Sequence, residues 1–391
     1  MKISKRWLSI GGSIALAVAL LLFVLLKYPF KEVFSTFSSN ITDHPKLLIC
    51  YVIVSFTIML LFAIRWNYVM RSLGIKMKLW ESLSFRIIDY GLTYITPSGK
   101  AGGEPIRAAL LTRKGISFKE GLANVTTDKT IEMTVSIGFF VLGLLILALG
   151  HPLPIFLRIF LIALCTLLIF LVWKFYSRIL RGQSVFSALF RFLHLHKIKS
   201  IAKYEQAVVD FERPIIKFYN EKKKAFFVAL GLSLLSIMLS LVEFKLVLLM
   251  LGINAPLGVV FMVLSVVGMA FIVPVPMGLG SLEAFQAALF SVLKIGSAAG
   301  IGLAMITRAR DMIWVMIAIV LSLYIGSFKT VFKEAYNSIY TNPINKVTIF
   351  RDGKPVKLKM RLFRTSHDKK FLPVGAIKNS RSFFKRKKGS F

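Results

Sequence analysis

Residues 96–111 read TPSGKAGGEPIRAALL, and residues 275–290 read VPMGLGSLEAFQAALF. An offset of 179 residues aligns the two stretches without a gap. It pairs Pro97, Gly99, Glu104, Ala108, Ala109 and Leu110 with Pro276, Gly278, Glu283, Ala287, Ala288 and Leu289. Each stretch breaks a longer apolar segment, 83–111 in one case and 257–293 in the other, with glycine and proline. The sequence therefore predicts two copies of one broken helical hairpin.

Apolar runs flank both hairpins, and most are near the ~20 residues that a helix needs to cross a bilayer, although 155–173 contains Arg158 and 225–251 contains Glu243 and Lys245. They cover 7–26, 47–64, 131–149, 155–173, 225–251 and 312–328. Of the 391 residues, 56% are hydrophobic and 18% charged, which excludes a soluble globular domain. The predicted fold class is an all-α polytopic membrane protein with six transmembrane helices and two re-entrant broken hairpins in an inverted repeat.

Basic residues lie mostly on one side of these runs. Lys and Arg number 51 against 18 Asp and Glu, a net charge of +33. With a cytoplasmic amino terminus, 43 of them fall on the cytoplasmic side and 4 on the other. This asymmetry predicts a multi-pass protein of the cell membrane with both termini cytoplasmic. It requires that 83–111 enter and leave from the cytoplasm and 257–293 from outside, and it favours anionic lipid over nucleic acid as the basic residues' partner.

The predicted organisation is a membrane domain at 1–328 and a basic cytoplasmic tail at 329–391. Within the first, repeat one covers about 47–149 and repeat two about 225–328. The basic loop 174–224 between them favours an amphipathic helix on the inner leaflet. In the tail, alternating residues around Asp352-Gly353 indicate a β-hairpin. Loop and tail are expected to contact anionic inner-leaflet lipid.

The first break has the chemistry of an anion site. Pro105 suits the first turn of a half-helix, and the preceding glycines, Gly99, Gly102 and Gly103, leave backbone amides uncovered. Lys100 and Arg107 add positive charge. The alternative is that glycine and proline only allow close helix packing.

The glutamates of the two breaks have structural and functional interpretations. Glu104 either caps the half-helix and pairs with Arg107, or contacts a cationic headgroup or a coupling proton. Glu283 has no basic residue within its own break, so its charge is harder to explain structurally.

Charged residues recur at the predicted starts of two spans: Lys129, Glu132, Arg308, Arg310 and Asp311. They form either ion pairs at the membrane interface or a ring around a polar cavity that both hairpins reach. The residues that extend such a ring are Asp89, Tyr90, Asp128, Glu243 and Lys245.

Known catalytic and metal signatures are absent from the sequence, including HExxH, Walker A and Gly-Xaa-Ser-Xaa-Gly. Cys50 and Cys165 each lie in an apolar run. We therefore expect no metal, no cofactor and no catalytic residue, although an enzyme is not excluded.

The motifs PSGKAGGEPIRAALL, PVPMGLGSLEA and TRARDM resemble the flippase-like transmembrane domain of the lysylphosphatidylglycerol synthase (multiple peptide resistance factor) family, over roughly residues 5–330. The resemblance implies a domain that moves a phospholipid between leaflets. About 60 residues follow the last run, so the synthase domain is expected to be absent. By motif, headgroup contacts are expected at Gly102, Gly103, Glu104, Arg107, Gly278, Gly280, Glu283 and Arg308. Lys100, Lys129, Glu132 and Asp311 complete the predicted headgroup site.

The function predicted from the sequence is transport or flipping of a phospholipid or polyprenyl-phosphate lipid. Two alternatives stay open at this point. One is a membrane-embedded lipid-modifying enzyme that uses Glu104 or Glu283 as acid or base. The other is a non-catalytic membrane subunit of a lipid or glycan synthesis system, working as a homo-oligomer or with a partner lipid-modifying enzyme.

Overall fold

The computed structural model describes residues 45–96, 102–194, 197, 205–273 and 275–325, and three strands within 346–373. The chain forms two compact units, Met1–Val331 and Phe332–Phe391. The apolar run 7–26 and Lys100 lie outside the described residues.

The first unit is helical throughout its described part. Its helices are α1 (Pro45–Ser72), α2 (Leu79–Ile95), α3 (Glu104–Thr112), α4 (Phe118–Gly150), α5 (Ile155–Leu180), α6 (Phe186–Phe192), α7 (Glu205–Glu221), α8 (Lys223–Met250), α9 (Leu257–Ala270), α10 (Ser281–Val292) and α11 (Ser297–Ile325).

Four of these helices, α1, α4, α5 and α8, are long and apolar enough to cross a membrane. Most apolar side chains of α5 are not covered by other helices. Phe156 is 80% exposed and Trp173 is 62% exposed, as expected for a helix that contacts lipid. The protein is therefore an all-α, multi-pass membrane protein. The predicted count of six spans is not confirmed, because one run lies outside the described residues and α11 carries Arg308, Arg310 and Asp311.

Both glycine- and proline-containing stretches interrupt a helix, as predicted. α2 ends at Ile95, and α3 begins at Glu104 with Pro105 in its first turn. α9 ends at Ala270, and a short 3₁₀ turn, Pro276–Gly278, precedes α10. The backbone of this second break is left-handed at Met277, Gly278 and Gly280, with φ of 56°, 59° and 76°. Glycine adopts such angles without strain, so two of these three positions suit a tight turn.

Helices α1–α4 and α8–α11 correspond to one another at the offset of 179 residues. Shifted by this offset, the start of each helix of the first set falls within two residues of its counterpart in the second. The packing corresponds as well. An added Cβ at Gly121 would meet the carbonyl of Ala108, and one at the equivalent Gly300 would meet the carbonyl of Gln286. We call α1–α4 the first copy and α8–α11 the second copy.

The two copies pack against each other through equivalent helices. α1 packs on α8, α2 on α11, and α9 on α4. α1 and α8 run antiparallel, because Val69 at the end of α1 clusters with Ala225 and Ala229 at the start of α8. At its opposite end, α1 contributes Tyr51 to the core that contains Leu248, near the end of α8.

The loop between the copies is folded. α7 is amphipathic, as predicted, but its apolar residues Ile215, Phe218 and Tyr219 are buried against the helical unit. The expectation that this face lies on the inner leaflet is therefore wrong for α7, because the protein itself covers the face. The buried carboxylate of Glu212 accepts hydrogen bonds from the backbone N–H groups of Phe186 (2.8 Å) and Ser187 (3.1 Å), which fixes the start of α6.

The second unit contains three antiparallel strands in the order β1-β2-β3: β1 (Lys346–Arg351), β2 (Lys354–Leu362) and β3 (Phe371–Pro373). Arg351 pairs with Lys354, so β1 and β2 form a hairpin, and Asp352-Gly353 lie outside the described residues.

Candidate functional site

Thirteen charged side chains meet among the helices in two neighbouring groups. The arginine cluster consists of Arg65, Arg86, Asp89, Glu104, Arg107, Asp128, Lys129 and Glu132. The acidic cluster consists of Glu243, Glu283, Arg308, Arg310 and Asp311. Ionisable groups buried among membrane-spanning helices are costly, and they mark sites of function by default.

Asp128 lies at the centre of the arginine cluster. Its Oδ1 accepts a hydrogen bond from Arg65 Nε at 2.8 Å, and its Oδ2 accepts one from Arg107 Nη1 at 3.0 Å. All three side chains are almost completely buried. One carboxylate therefore neutralises two guanidinium groups from two other helices, α1 and α3.

Glu132 lies one turn further along α4 and joins a third arginine. Its Oε2 accepts hydrogen bonds from Arg65 Nη2 and Arg86 Nη2, both at 2.6 Å. Arg86 also donates to Asp89 at 3.0 Å on its own helix. The cluster thus ties α1, α2, α3 and α4 together through charge-assisted hydrogen bonds.

Aromatic rings cover the guanidinium groups. Arg107 lies 4.6 Å from the ring centre of Trp66. Arg65 and Arg86 lie 5.1 and 4.9 Å from the ring of Phe62. Cation–π attraction is strongest away from water, so these contacts favour a charged arginine inside the helical unit.

Each break carries an acid–base pair with the long helix that follows it. Glu104 lies 3.6 Å from Lys129. Glu283 accepts hydrogen bonds from Arg308 Nη2, at 2.7 Å, and from Arg308 Nε. The four residues are equivalent at the offset of 179, so both copies contain the same pair in the same place. Lys129 and Arg308 are 19% and 13% exposed, which leaves both pairs reachable from the surface of the helical unit.

Arg308 also organises the backbone of the second break. It donates to the carbonyls of Met277 at 3.0 Å and Gly278 at 2.8 Å. Ser281 adds a hydrogen bond to the Gly278 carbonyl at 3.0 Å. The turn before α10 is therefore held by a side chain from α11, 30 residues further along the chain.

The remaining members of the acidic cluster share one cation. Arg310 Nη1 donates to Glu243 at 2.6 Å, and Arg310 Nε donates to Asp311 at 2.9 Å. Tyr90 from the first copy donates its hydroxyl to the same Asp311 oxygen at 2.6 Å. α2 therefore contacts both clusters, with Arg86 and Asp89 on one side and Tyr90 on the other.

Several sequence interpretations of these residues are wrong. Lys129, Glu132, Arg308, Arg310 and Asp311 lie inside α4 and α11, not at the starts of helices, because partners from other helices neutralise them. Glu104 pairs with Lys129 and not with Arg107, whose partners are Asp128 and, at 3.6 Å, Asp89.

Glu283 has no basic residue within its own break, as the sequence showed, but it does have a partner elsewhere. Its partner Arg308 lies 25 residues away in sequence, beyond its own break. Arg65 and Arg86 were not predicted from the sequence as members of the site. The available signal was that each is a lone cation next to or inside an apolar segment, which requires a buried partner.

Gly103 is packed too closely against α2 for any side chain. An added Cβ would collide with the Asp89 carboxylate and with the hydroxyl of Thr93, which accepts a hydrogen bond from the Gly103 N–H at 2.9 Å. A side chain at this position would therefore strain the packing of α2 on α3. This contact favours the packing interpretation of the first break's glycines over an open space before the half-helix.

Gly103→Ala is therefore expected to lower the melting temperature of the purified protein, since overpacking costs about 1–3 kcal/mol. Gly138→Ala is the matched control, because an added Cβ there meets nothing within 4 Å. Equal melting temperatures for Gly103→Ala and wild type would contradict the packing interpretation.

Comparison with known proteins agrees with this architecture. The family model for the lysylphosphatidylglycerol synthase TM region matches residues 10–319. A UPF0104 membrane protein of Methanothermobacter thermautotrophicus is 27% identical over 89 residues, which cover 22% of this chain and 26% of that protein. The match thus spans about a quarter of that relative's length. Since the family model covers most of the chain and confirms the resemblance seen in the motifs, the chain belongs to the lysylphosphatidylglycerol synthase transmembrane-region family.

Proposed function

We propose that this protein moves a phospholipid or polyprenyl-phosphate lipid between the two leaflets of the cell membrane, with the charged headgroup passing between the two breaks. The observation that carries the proposal is the pair of equivalent acid–base contacts, Glu104–Lys129 and Glu283–Arg308, inside a membrane-spanning helical unit. Transporter folds commonly place substrate sites where broken helices of two repeats meet.

The arrangement of the two copies supports an inverted repeat. An inverted-topology repeat places equivalent helices antiparallel around a two-fold axis in the membrane plane. α1 and α8 are equivalent and antiparallel, and α2–α11 and α9–α4 are equivalent contacts, as such an axis between the copies would require. With this symmetry, the two hairpins enter the membrane from opposite sides. Their breaks then provide two equivalent binding sites for a headgroup.

The chemistry of the pairs suits a phosphate-containing headgroup. A phosphate offers Lys129 and Arg308 the same charge-assisted acceptors that Glu104 and Glu283 supply. Exchange of a carboxylate for a phosphate therefore leaves each cation paired. Backbone amides at the start of α10 favour the same negative charge, whereas the N–H of Gly103 before α3 is already bonded to Thr93. In this proposal the headgroup contacts come from Lys100, Gly102, Glu104, Lys129, Glu132, Gly278, Gly280, Glu283, Arg308 and Asp311. Gly103 and the fully buried Arg107 support these residues from within the packed helices.

The proposed orientation has both termini in the cytoplasm, from the distribution of basic residues along the sequence. Exposed basic side chains of the loop, such as Arg213 and Lys217, then face anionic lipid of the inner leaflet.

Reconstitution into vesicles tests the proposal. Vesicles that contain trace fluorescent phosphatidylglycerol or polyprenyl phosphate are treated with dithionite, which bleaches only the outer leaflet. Protein-containing vesicles are expected to lose the protected inner-leaflet fluorescence with at least one probe, while empty vesicles keep it. If protein-containing and empty vesicles keep the same protected fraction of fluorescence with every probe, the proposed function is wrong.

A further inference from the structure

The two copies differ in charge at equivalent positions. The arginine cluster holds four cations and four carboxylates. The acidic cluster holds two cations, Arg308 and Arg310, for three carboxylates. At the offset of 179, three arginines of the first copy are replaced by uncharged residues: Arg65, Arg86 and Arg107 correspond to Phe244, Ser265 and Gln286. The acidic cluster therefore contains one carboxylate more than its two arginines neutralise.

Within the acidic cluster, Glu243 is the carboxylate with a buried oxygen that accepts no hydrogen bond from the described residues. It is 3% exposed, and only its Oε2 is bonded, to Arg310. Within the described part of the chain, Glu243 Oε1 has no hydrogen-bond partner. The hydroxyl of Tyr51, itself 5% exposed, also lacks a partner there and interacts electrostatically with Glu243 and Arg310. A buried oxygen and a buried hydroxyl thus stand unpaired beside the same arginine.

We propose that Glu243 is a proton-binding site and that its proton is coupled to lipid movement. An ionised carboxylate without full neutralisation is costly in a membrane interior, and binding one proton removes the excess charge. Metal ions such as Ca²⁺ take six to eight oxygen ligands, whereas only two unpaired oxygens are present here. Proton binding by Glu243 is independent of the proposed function, whereas the coupling of that proton to lipid movement rests on the proposed function.

Few charged side chains other than Arg310 and Asp311 lie near Glu243. Arg310 and Asp311 face it from α11, and Tyr51 faces it from α1. Tyr90 of α2 reaches the group through Asp311. Lys245 on the same helix is engaged by Asn254 and the Ala255 carbonyl. α9 contains no titratable residue. The charged residues of α4 meet Arg65, which contacts α8 at Ser233, ten residues or about 15 Å of helix before Glu243.

The proton step requires no other reactant. A proton from the aqueous phase binds Glu243 Oε1 and forms an O–H bond, while Arg310 keeps Asp311 as its counter-ion. Release of the proton restores the negative charge. Arg310 is 18% exposed, so the cluster can be reached from the surface of the helical unit.

Infrared spectroscopy tests the proton site without any transport assay. In a pH titration of the purified protein, wild type is expected to show the C=O band of a protonated buried carboxylic acid, and Glu243→Gln is expected to lack that band. Glu221→Gln, at an exposed carboxylate, should keep the band. Because glutamine mimics the protonated acid, Glu243→Gln should melt at the wild-type temperature. Absence of the band from wild type, or misfolding of Glu243→Gln, would overturn the proton site.

Coupling is tested in the vesicle assay with an imposed pH gradient. If one proton accompanies one lipid, each unit of gradient shifts the lipid distribution of wild type by up to about tenfold. Glu243→Gln should not respond. If Glu243→Gln loses the band but wild type moves no lipid, the proton site is supported and the proposed function is excluded. Lipid movement that ignores the gradient would keep the proposed function and overturn the coupling.

Discussion

Asp128→Thr is expected to destabilise the protein more than any other single change discussed above. The substitution leaves Arg107 with the 3.6 Å contact to Asp89 as its carboxylate contact among the described residues, and it removes one of the two carboxylates that bind Arg65. Breaking a fully buried ion pair by removing one partner costs about 3–5 kcal/mol. That is a large part of a typical folding free energy. Yield of folded protein and melting temperature in detergent measure the effect.

The second copy supplies a compensating change. Arg107 and Asp128 correspond to the uncharged Gln286 and Thr307 at the offset of 179. The double variant Arg107→Gln with Asp128→Thr should recover part of the lost stability, because the fully buried guanidinium of Arg107 is removed together with its partner. The exposed pair of Lys217 and Glu221 offers the control, since Glu221→Gln should cost at most about 1 kcal/mol. A double variant less stable than Asp128→Thr alone would contradict the pairing.

Arg308→Gln is expected to have the largest effect on lipid movement. Arg308 holds Glu283 and the carbonyls of Met277 and Gly278, so its loss frees both the carboxylate and the turn that precedes α10. We expect lipid movement to fall to the level of empty vesicles. Arg308→Lys keeps the charge but loses the bidentate fork, so it should restore only a fraction of the rate. A wild-type rate in Arg308→Gln would exclude the second break from the lipid path.

Glu283→Gln should lower the stability of the protein more than Glu104→Gln does, although the sequence suggested a nearby partner for Glu104 alone. Glu283→Gln weakens a charge-assisted contact worth about 1.5–3 kcal/mol. Glu104→Gln leaves Lys129 paired with Glu132 at 3.0 Å, so its cost is about 1 kcal/mol or less. Melting temperatures of the two variants decide the order. If Glu104→Gln melted lower than Glu283→Gln, the pairing described above would be incorrect.

Apolar runs were sufficient to predict four membrane helices, α1, α4, α5 and α8, and the positions of the two breaks. The bounds were less accurate where charge enters a helix. α4 begins at Phe118, although the apolar run begins at 131, because Asp128, Lys129 and Glu132 are neutralised by residues of other helices. A rule that ends a span at the first charge cannot include partners distant in sequence.

The site was only partly predictable for the same reason. The pairing of Glu104 with Arg107 followed from their spacing of three residues on one helix. In the structure Arg107 turns toward Asp128, 21 residues away. The equivalence of the two breaks was visible from the sequence, and it identified all four members of the matched pairs. Their connection, Glu104 to Lys129 and Glu283 to Arg308, depends on how α3 and α10 pack on the helices that follow.

The most direct test of the account is to locate the headgroup on the protein. A phospholipid with a photoreactive group on its headgroup is irradiated in proteoliposomes, and the labelled residues are identified by mass spectrometry. A lipid with the same group on its acyl chain serves as the control and should label the lipid-facing helix α5. The account predicts that the headgroup probe labels both breaks, within 102–112 and 275–292, and that Arg308→Gln reduces the label at the second. Headgroup label confined to α5, like that of the acyl-chain probe, would contradict it.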